Sequence, residues 1–408
     1  MSRPVRASHH LSDVRYEIRG ELARRADDLQ RSGYDVVRMN IGNPGAFGFQ
    51  MPEAMRRAMI ENLGQSEAYC HEKGVFPARE AVAMQQQERG VPGVSAEDVF
   101  MGNGVSELTG ICMEALLDPG DEVLVPSPDY PLWTAAVTLH GARAVHYPNR
   151  PEAGFVPDPA AVEGLITERT KALVIINPNN PTGAVYPREV LSELARLAER
   201  HGLTVFADEI YDGMLYEDAE FVPMATLVHD TLCATLSGLS KVYRACGLRV
   251  GWCSFSGRMA DSREYLRGVE LLCSLRLCSN VPGQWAVQTA LGGHQSIKAL
   301  TAPGGRLYES RKAAIEAVQA SSLLQLSKPM GAMYAFVGVD KTRLRDFDDQ
   351  AFARALLERE HVLLAPGCSF NVDYHTHFRT TLLPDAVTQR EVFRRIERTL
   401  NGEPAAGP

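Results

Sequence analysis

ALVIINPNNPTGAVYPREVLSELARLAERHGLTVFADEIY, residues 172–211, reads as a strand, a turn, a helix and a second strand. Ala172–Ile176 and Thr204–Ala207 are short, unbroken apolar runs, whereas VLSELARLAERHG (Val190–Gly202) carries apolar residues at helical spacing and ends on a glycine. Buried strands joined by a crossover helix are the signature of a parallel sheet. Further strand candidates are Val99–Met101, Glu122–Val125, Arg143–Tyr147, Leu232–Leu236 and Arg249–Phe255. The reading is therefore an α/β fold with a mostly parallel central sheet flanked by helices, whose ligands lie beyond the carboxyl ends of the strands.

After about Gln295 the pattern changes. A helix over Arg306–Ala320, short strands in MYAFVGV (Met333–Val339) and HVLLAPG (His361–Gly367), and a final helix over Thr388–Leu400 predict a smaller α+β domain. The expected division is an N-terminal arm with part of the small domain (1–49), a large domain (50–295), the small domain (296–400) and a disordered Gly/Pro-rich tail (401–408). With 408 residues, 45% hydrophobic and 23% charged, the chain has soluble composition, and its net charge of −8 argues against nucleic-acid or anionic-membrane partners. The N-terminus has no secretory apolar segment, and no run is apolar enough to span a bilayer. Eight scattered cysteines without CxxC spacing read mostly as reduced core thiols of a cytoplasmic protein. The histidines, His375-x-His377 included, do not suggest a metal site.

The chemistry gathers at three strand ends. NPNNPTG follows the 172–176 strand and offers Asn180 before a proline whose peptide bond tolerates the cis form. FADEIY leaves Asp208, Glu209 and Tyr211 at the next edge, and a carboxylate leaving so apolar a strand needs a cationic or hydrogen-bonding partner. SGLSKVYRACGLR (Ser237–Arg249) adds Lys241 and Arg249. Each residue alone has a plain explanation as a turn former, helix cap or loop cation. Together they match pyridoxal phosphate (PLP) catalysis, which uses a Schiff-base lysine, an acid on the pyridinium nitrogen and a cationic phosphate cradle.

Read as a set in this order, NPNNPTG, ADEIY and SGLSK resemble the class I, fold type I aminotransferases, and the resemblance runs from IGNPGAFGF (Ile41–Phe49) to HFRTTLLPD (His377–Asp385). It implies PLP as cofactor, with Lys241 as the catalytic Schiff-base and proton-transfer lysine, Asp208 on the pyridine nitrogen, and Asn180 with Tyr211 at the ring hydroxyl. It places Arg249 and Ser240 near the phosphate, Gly104, Val105 and Ser106 of GNGVSELTG in the other half of that cradle, and Tyr130 of PSPDYPLW stacked on the ring. Tyr69 is similar to the residue that a neighbouring subunit lends to the phosphate, which implies a homodimer with shared sites.

Arg379 resembles the family's arginine for the substrate α-carboxylate, and Gly42 the backbone that closes over it. VRYEIRG (Val14–Gly20), DYPLWTAAV and QTALGGHQSI are similar to the bacterial glutamate-pyruvate (alanine) aminotransferases. In that group Tyr16 and Arg19 are expected over the site, with Arg19 on the distal carboxylate of glutamate. The implied reaction is L-alanine with 2-oxoglutarate to pyruvate with L-glutamate. Alternatives are an aminotransferase for aspartate, aromatic or branched amino acids, a PLP-fold amino-acid-sensing regulator, and a PLP β-lyase. Three departures stand out: Gly238 where aspartate aminotransferases have a phosphate-binding serine, so that Ser237 or Ser240 must substitute; a bulky Arg244; and Arg276 one step off a dicarboxylate-binding register.

Overall fold

In the computed structural model, which describes residues 5–8, 11, 12, 14 and 20–403, the first strand, β1 (Val37–Arg38), stands apart from the main sheet. The main sheet is built from β2 (Val99–Gly102), β3 (Glu122–Ser127), β4 (Arg143–Pro148), β5 (Thr170–Ile176), β6 (Thr204–Asp208), β7 (Leu232–Gly238) and β8 (Gly251–Gly257). Its order is β2-β8-β7-β6-β5-β3-β4. β3 pairs in parallel with β4 and β5, and the β5–β6 and β6–β7 pairs are parallel too. β8 runs antiparallel to both β2 and β7, so the sheet is mixed by this one strand.

Alternate residues of the central strands feed two separate cores. Leu173, Ile175, Val205 and Ala207 join Leu191, Leu194 and Leu197 of the helix Arg188–His201 on one face. Ala172, Val174, Ile176 and Phe206 join Leu108, Trp133 and Val269, from three other helices, on the opposite face. Burial on both faces explains why these strands read as unbroken apolar runs. The Arg188–His201 helix ends as its sequence predicts: Gly202 takes a left-handed conformation at φ 63° and donates its N–H to backbone carbonyls of the last turn. Truncating a fully buried residue such as Leu194 to alanine would cost about 2–5 kcal/mol.

The smaller sheet contains β9 (Leu324–Leu326), β10 (Tyr334–Val339), β12 (Ala365–Pro366) and β13 (His377–Thr381), in the order β12-β13-β10-β9, while β11 (Val362–Leu363) pairs in parallel with β1. The HVLLAPG run, expected as one strand, is thus divided between two sheets. A separate apolar core of Val337, Phe352, Leu356, Phe378, Val392 and Ile396 lies under the smaller sheet. The last helix spans Ala386–Leu400, two residues longer at its start than expected, because Asp385 caps it by accepting from the amides of Val387 and Thr388.

One sequence expectation is corrected. Arg249 does not open a strand. It closes the 3-10 turn Cys246–Leu248 in a left-handed conformation at φ 52°, and β8 begins two residues later. Most cysteines do sit in or against the core: Cys112, Cys233, Cys253 and Cys273 are buried and Cys70 and Cys278 pack partly buried against the core, whereas Cys246 and Cys368 are partly exposed. No helix among the described residues is long and apolar enough to cross a membrane. The tail at 404–408 lies outside the described residues.

Candidate active site

The carboxyl ends of β5, β6 and β7 open onto a cavity of about 640 Å³. Of the residues singled out in the sequence, Gly42, Val105, Ser106, Tyr130, Asn180, Asp208, Tyr211, Ser240, Lys241, Arg249 and Arg379 line it. The reversed direction of β8 matters here, because its beginning, not its end, lies at this edge. Arg249 is thereby delivered beside Lys241.

Asp208 ends β6 and is 4% exposed. Its Oδ2 accepts from the indole N–H of Trp133 at 3.0 Å, and its Oδ1 from the amide of Ile210 at 3.4 Å. Burial raises its pKa, opposed by the Trp133 and Ile210 hydrogen bonds and by the charge of Lys241. Glu209, its neighbour in sequence, points elsewhere: it accepts from the amide of Met224 at 2.8 Å, lies 3.8 Å from Arg89 and is pushed up to about 8 by burial.

Lys241 follows β7, and its Nζ donates to the Gly42 carbonyl at 2.7 Å. At the other side Gly104, at φ 84°, precedes the helix Val105–Leu116. A Cβ there would run into the Arg249 guanidinium, which donates to Cys246 O at 2.9 Å and Asn103 O at 3.3 Å. Gly104 is therefore not a lining residue, but its missing side chain is what lets a guanidinium sit at an open helix N-terminus. Ser240 faces the same space, whereas Ser237 is buried and donates to Glu209 O at 3.4 Å, which separates the two serine candidates. A Cβ on Gly238 would come within 2.6 Å of Val250 O, so a serine has no room there.

Arg379 is 1% exposed. Its Nη1 donates to Asn180 Oδ1 at 2.8 Å and its Nη2 to Asn40 O, while the buried Nε has no hydrogen-bond partner among the described residues. The guanidinium is sandwiched between the rings of Tyr334, at 4.2 Å, and Phe370, at 4.7 Å. The Asn180–Pro181 peptide is cis.

Some expected residues are elsewhere. Tyr69 is 77% exposed and does not line the cavity of its own chain. Tyr16 and Arg19 lie outside the described residues. Arg244 ties down the loop after the lysine, with bonds to Gln50 O, Val242 O and Ser296 Oγ at 2.7–3.0 Å. Arg276 donates to Met101 O at 2.7 Å and faces Glu107 at 3.5 Å, away from the cavity. Among the described residues one trio, Asp349, Cys368 and His375, groups possible metal-binding atoms within 4.8 Å, but its carboxylate oxygens are already engaged by the Cys368 amide and the His375 ring.

Sequence reasoning missed Trp133, Cys246 and Tyr334. Trp133 stood in the quoted PSPDYPLW, yet nothing local links it to a carboxylate 75 residues away. Cys246 and Tyr334 both line the cavity.

Residues 34–396 match the family described as Aminotransferase class I and II. The chain is 47% identical over 399 residues to the glutamate-pyruvate aminotransferase AlaA of Escherichia coli K12, covering 98% of each. It is 45% identical over 395 residues to an alanine aminotransferase of Mycobacterium bovis, covering 97% of this chain and 91% of that one. An aminotransferase structure from Escherichia coli superposes with a TM-score of 0.97 at 45% identity, covering 99% of this chain and all of the other. The chain belongs to the class I and II aminotransferases and is a transaminating enzyme.

Proposed function

We propose that the enzyme uses pyridoxal 5′-phosphate to exchange an amino group between L-alanine and 2-oxoglutarate, giving pyruvate and L-glutamate reversibly. The observation that carries this reading is the convergence of Lys241, Asp208, Tyr211, Asn180 and Arg379 on one cavity in a chain close to glutamate-pyruvate and alanine aminotransferases.

The residues fit the cofactor at both ends. Asp208 is a buried carboxylate with no ion pair among the described residues and is penalised for its charge, which a protonated ring nitrogen would relieve. The Arg249 guanidinium, the open helix start at Val105 and Ser106, and Ser240 make an anion site of the kind a phosphate needs. The chemistry PLP supplies when bound is an electrophilic carbonyl carbon and a ring that accepts electrons from the substrate Cα.

In this reading Lys241 holds the cofactor and, once displaced by the incoming amine, moves the proton at the substrate Cα. Asp208 keeps the ring nitrogen protonated, Tyr211 and Asn180 hydrogen-bond the ring oxygen, and Tyr130 covers the ring face. Arg379, with its unused Nε, takes the α-carboxylate, and Gly42 closes backbone over it. Tyr16 and Arg19 are assigned to the mouth of the site, Arg19 pairing with the distal carboxylate of glutamate. A movable cation suits a site that must also accept alanine, since a fixed one would be left buried and unpaired.

A homodimer is part of this proposal. Ile60, Leu63, Tyr69, Phe76, Leu271, Leu275 and Leu277 are each more than half exposed. Their two segments adjoin through Lys73–Glu270 at 3.6 Å and Trp285–Ser66 at 3.0 Å, so they form an apolar face that a second copy would cover, bringing Tyr69 to its neighbour's phosphate site. The chain division at 49, 295 and 400 is retained, with β1 pairing to β11 as support.

The test is the visible spectrum of the purified protein with PLP, before and after L-alanine, L-glutamate, L-aspartate or L-phenylalanine. Conversion by alanine and glutamate alone supports the reading; a stronger response to another amino acid overturns the substrate pair. Lys241→Ala should fold and lose turnover, and Arg19→Ala should lose glutamate and 2-oxoglutarate selectively.

A further inference from the structure

Tyr334 opens β10, is 2% exposed and lines the cavity, yet belongs to none of the motifs that point to the reaction. Its hydroxyl accepts a hydrogen bond from the Tyr211 hydroxyl at 3.2 Å, with the two rings edge to face at 5.9 Å. Its ring face carries the Arg379 guanidinium at 4.2 Å. The same hydroxyl fills the space a side chain at Gly42 would need: a Cβ there would meet it directly and would lie 2.8 Å from Tyr334 Cζ. The Gly42 carbonyl in turn accepts from Lys241. One side chain thus touches the phenol assigned to the cofactor, the guanidinium assigned to the substrate carboxylate, and the backbone that holds the lysine.

We propose that Tyr334 is a positioning residue for transamination, whose hydroxyl shares the proton of Tyr211 and whose ring holds Arg379 in register with it. This rests on the assignments of Tyr211 and Arg379 made above. The surroundings suit the role: burial disfavours ionisation of the Tyr334 phenol, but Lys241, Arg379 and the Tyr211 hydrogen bond outweigh it and lower its pKa, which favours the phenolate, the form whose oxygen accepts strongly from Tyr211. Tyr211 then divides its proton between Tyr334 and the cofactor's ring oxygen. When a substrate carboxylate neutralises Arg379, the Tyr334 pKa rises, its oxygen takes up a proton from solvent and accepts less strongly, and Tyr211 is released toward the cofactor. The carboxylate site and the cofactor are linked through a group that touches neither reacting bond.

Two variants separate the hydroxyl from the ring. Tyr334→Phe keeps the support under Arg379 and frees the Tyr211 proton for the ring oxygen, whose anionic form it stabilises. The pH midpoint of the bound cofactor's visible absorbance should therefore fall by about half a unit or more, with kcat down about tenfold and KM for alanine and glutamate nearly unchanged. Tyr334→Leu also removes the stacked ring, so KM for both amino acids should rise about tenfold. In the cofactor-free protein, ultraviolet titration should show one phenol ionising early, and Tyr334→Phe should lose it. A Tyr334→Phe enzyme with wild-type midpoint and kcat overturns the proposal, as does an unchanged ultraviolet titration. A wild-type protein that acquires no visible band with PLP overturns the cofactor assignment itself, whereas a wild type that binds PLP and transaminates beside an indistinguishable Tyr334→Phe variant overturns only the role of Tyr334.

Discussion

Replacing Trp133 with phenylalanine tests whether the buried carboxylate of Asp208 is held ready for a cation. The indole N–H donates to Asp208 Oδ2 at 3.0 Å inside a side chain with no exposed surface, so phenylalanine preserves most of the packing and deletes one hydrogen bond to a charged acceptor. Such a bond is worth about 1.5–3 kcal/mol. The loss is not shared equally between the free and loaded protein. Without a cation above it, Asp208 can take up a proton, since burial already raises its pKa. With a protonated ring nitrogen above it, the carboxylate must stay ionised and carries the missing bond as a full penalty. The dissociation constant for PLP should therefore rise about 10- to 100-fold. Removing the donor also raises the Asp208 pKa further, so cofactor retention on the acid side should be lost at a higher pH than in the wild type. Equilibrium dialysis of PLP across a pH series, with thermal unfolding of both apoproteins as a control, measures these effects. A wild-type dissociation constant and an unshifted acid limb in a stable Trp133→Phe protein would refute the reasoning.

Arg379→Lys keeps a cation between Tyr334 and Phe370 but loses the planar fork, including the unpartnered Nε. The value of kcat/KM should fall about 100-fold for alanine and glutamate alike, with alanine followed by coupling to pyruvate release and glutamate by coupling to 2-oxoglutarate release, and a loss confined to one of them would contradict a shared α-carboxylate role. Asp129, fully buried beside Tyr130, accepts from Thr134 Oγ1 at 2.6 Å and Asn371 Nδ2 at 2.9 Å, and burial lifts it to about 7 from an ordinary 3.8. The folded state thus holds a proton that the unfolded state releases. Its stabilisation is complete below pH 3.8 and is lost as pH rises to about 7, by up to about 4 kcal/mol. Urea unfolding of the apoprotein across that window should show the decline in the wild type and a flatter profile in Asp129→Asn. Gly104→Ala places a side chain at φ 84° against Arg249, so PLP should be released more readily while unfolding of the apoprotein changes by only about 1–2 kcal/mol; unaltered retention would argue against the cradle.

Local pattern was enough to locate the elements and the ends that matter. The apolar runs at 172–176 and 204–207 announce buried strands because both of their faces pack, and NPNNPTG, ADEIY and SGLSK lie at or just after strand ends, so their side chains reach the sheet edge whatever the rest of the chain does. What pairs with what across long separations was not legible. The antiparallel course of β8, which sets Arg249 beside Lys241, depends on which neighbours the strand finds. Glu209 turns to Arg89 and Met224 although it adjoins Asp208 in sequence, because consecutive residues at a strand end face opposite sides. Trp133 meets Asp208 across 75 residues and Tyr334 meets Tyr211 across 123, with no periodicity or turn chemistry to announce either contact. The sequence by itself determined the strand-end chemistry, because chain direction and side-chain alternation are local properties. Only the tertiary structure decided the partners that tune it, because a hydrogen bond to a buried phenol or carboxylate exists only once two distant elements pack together.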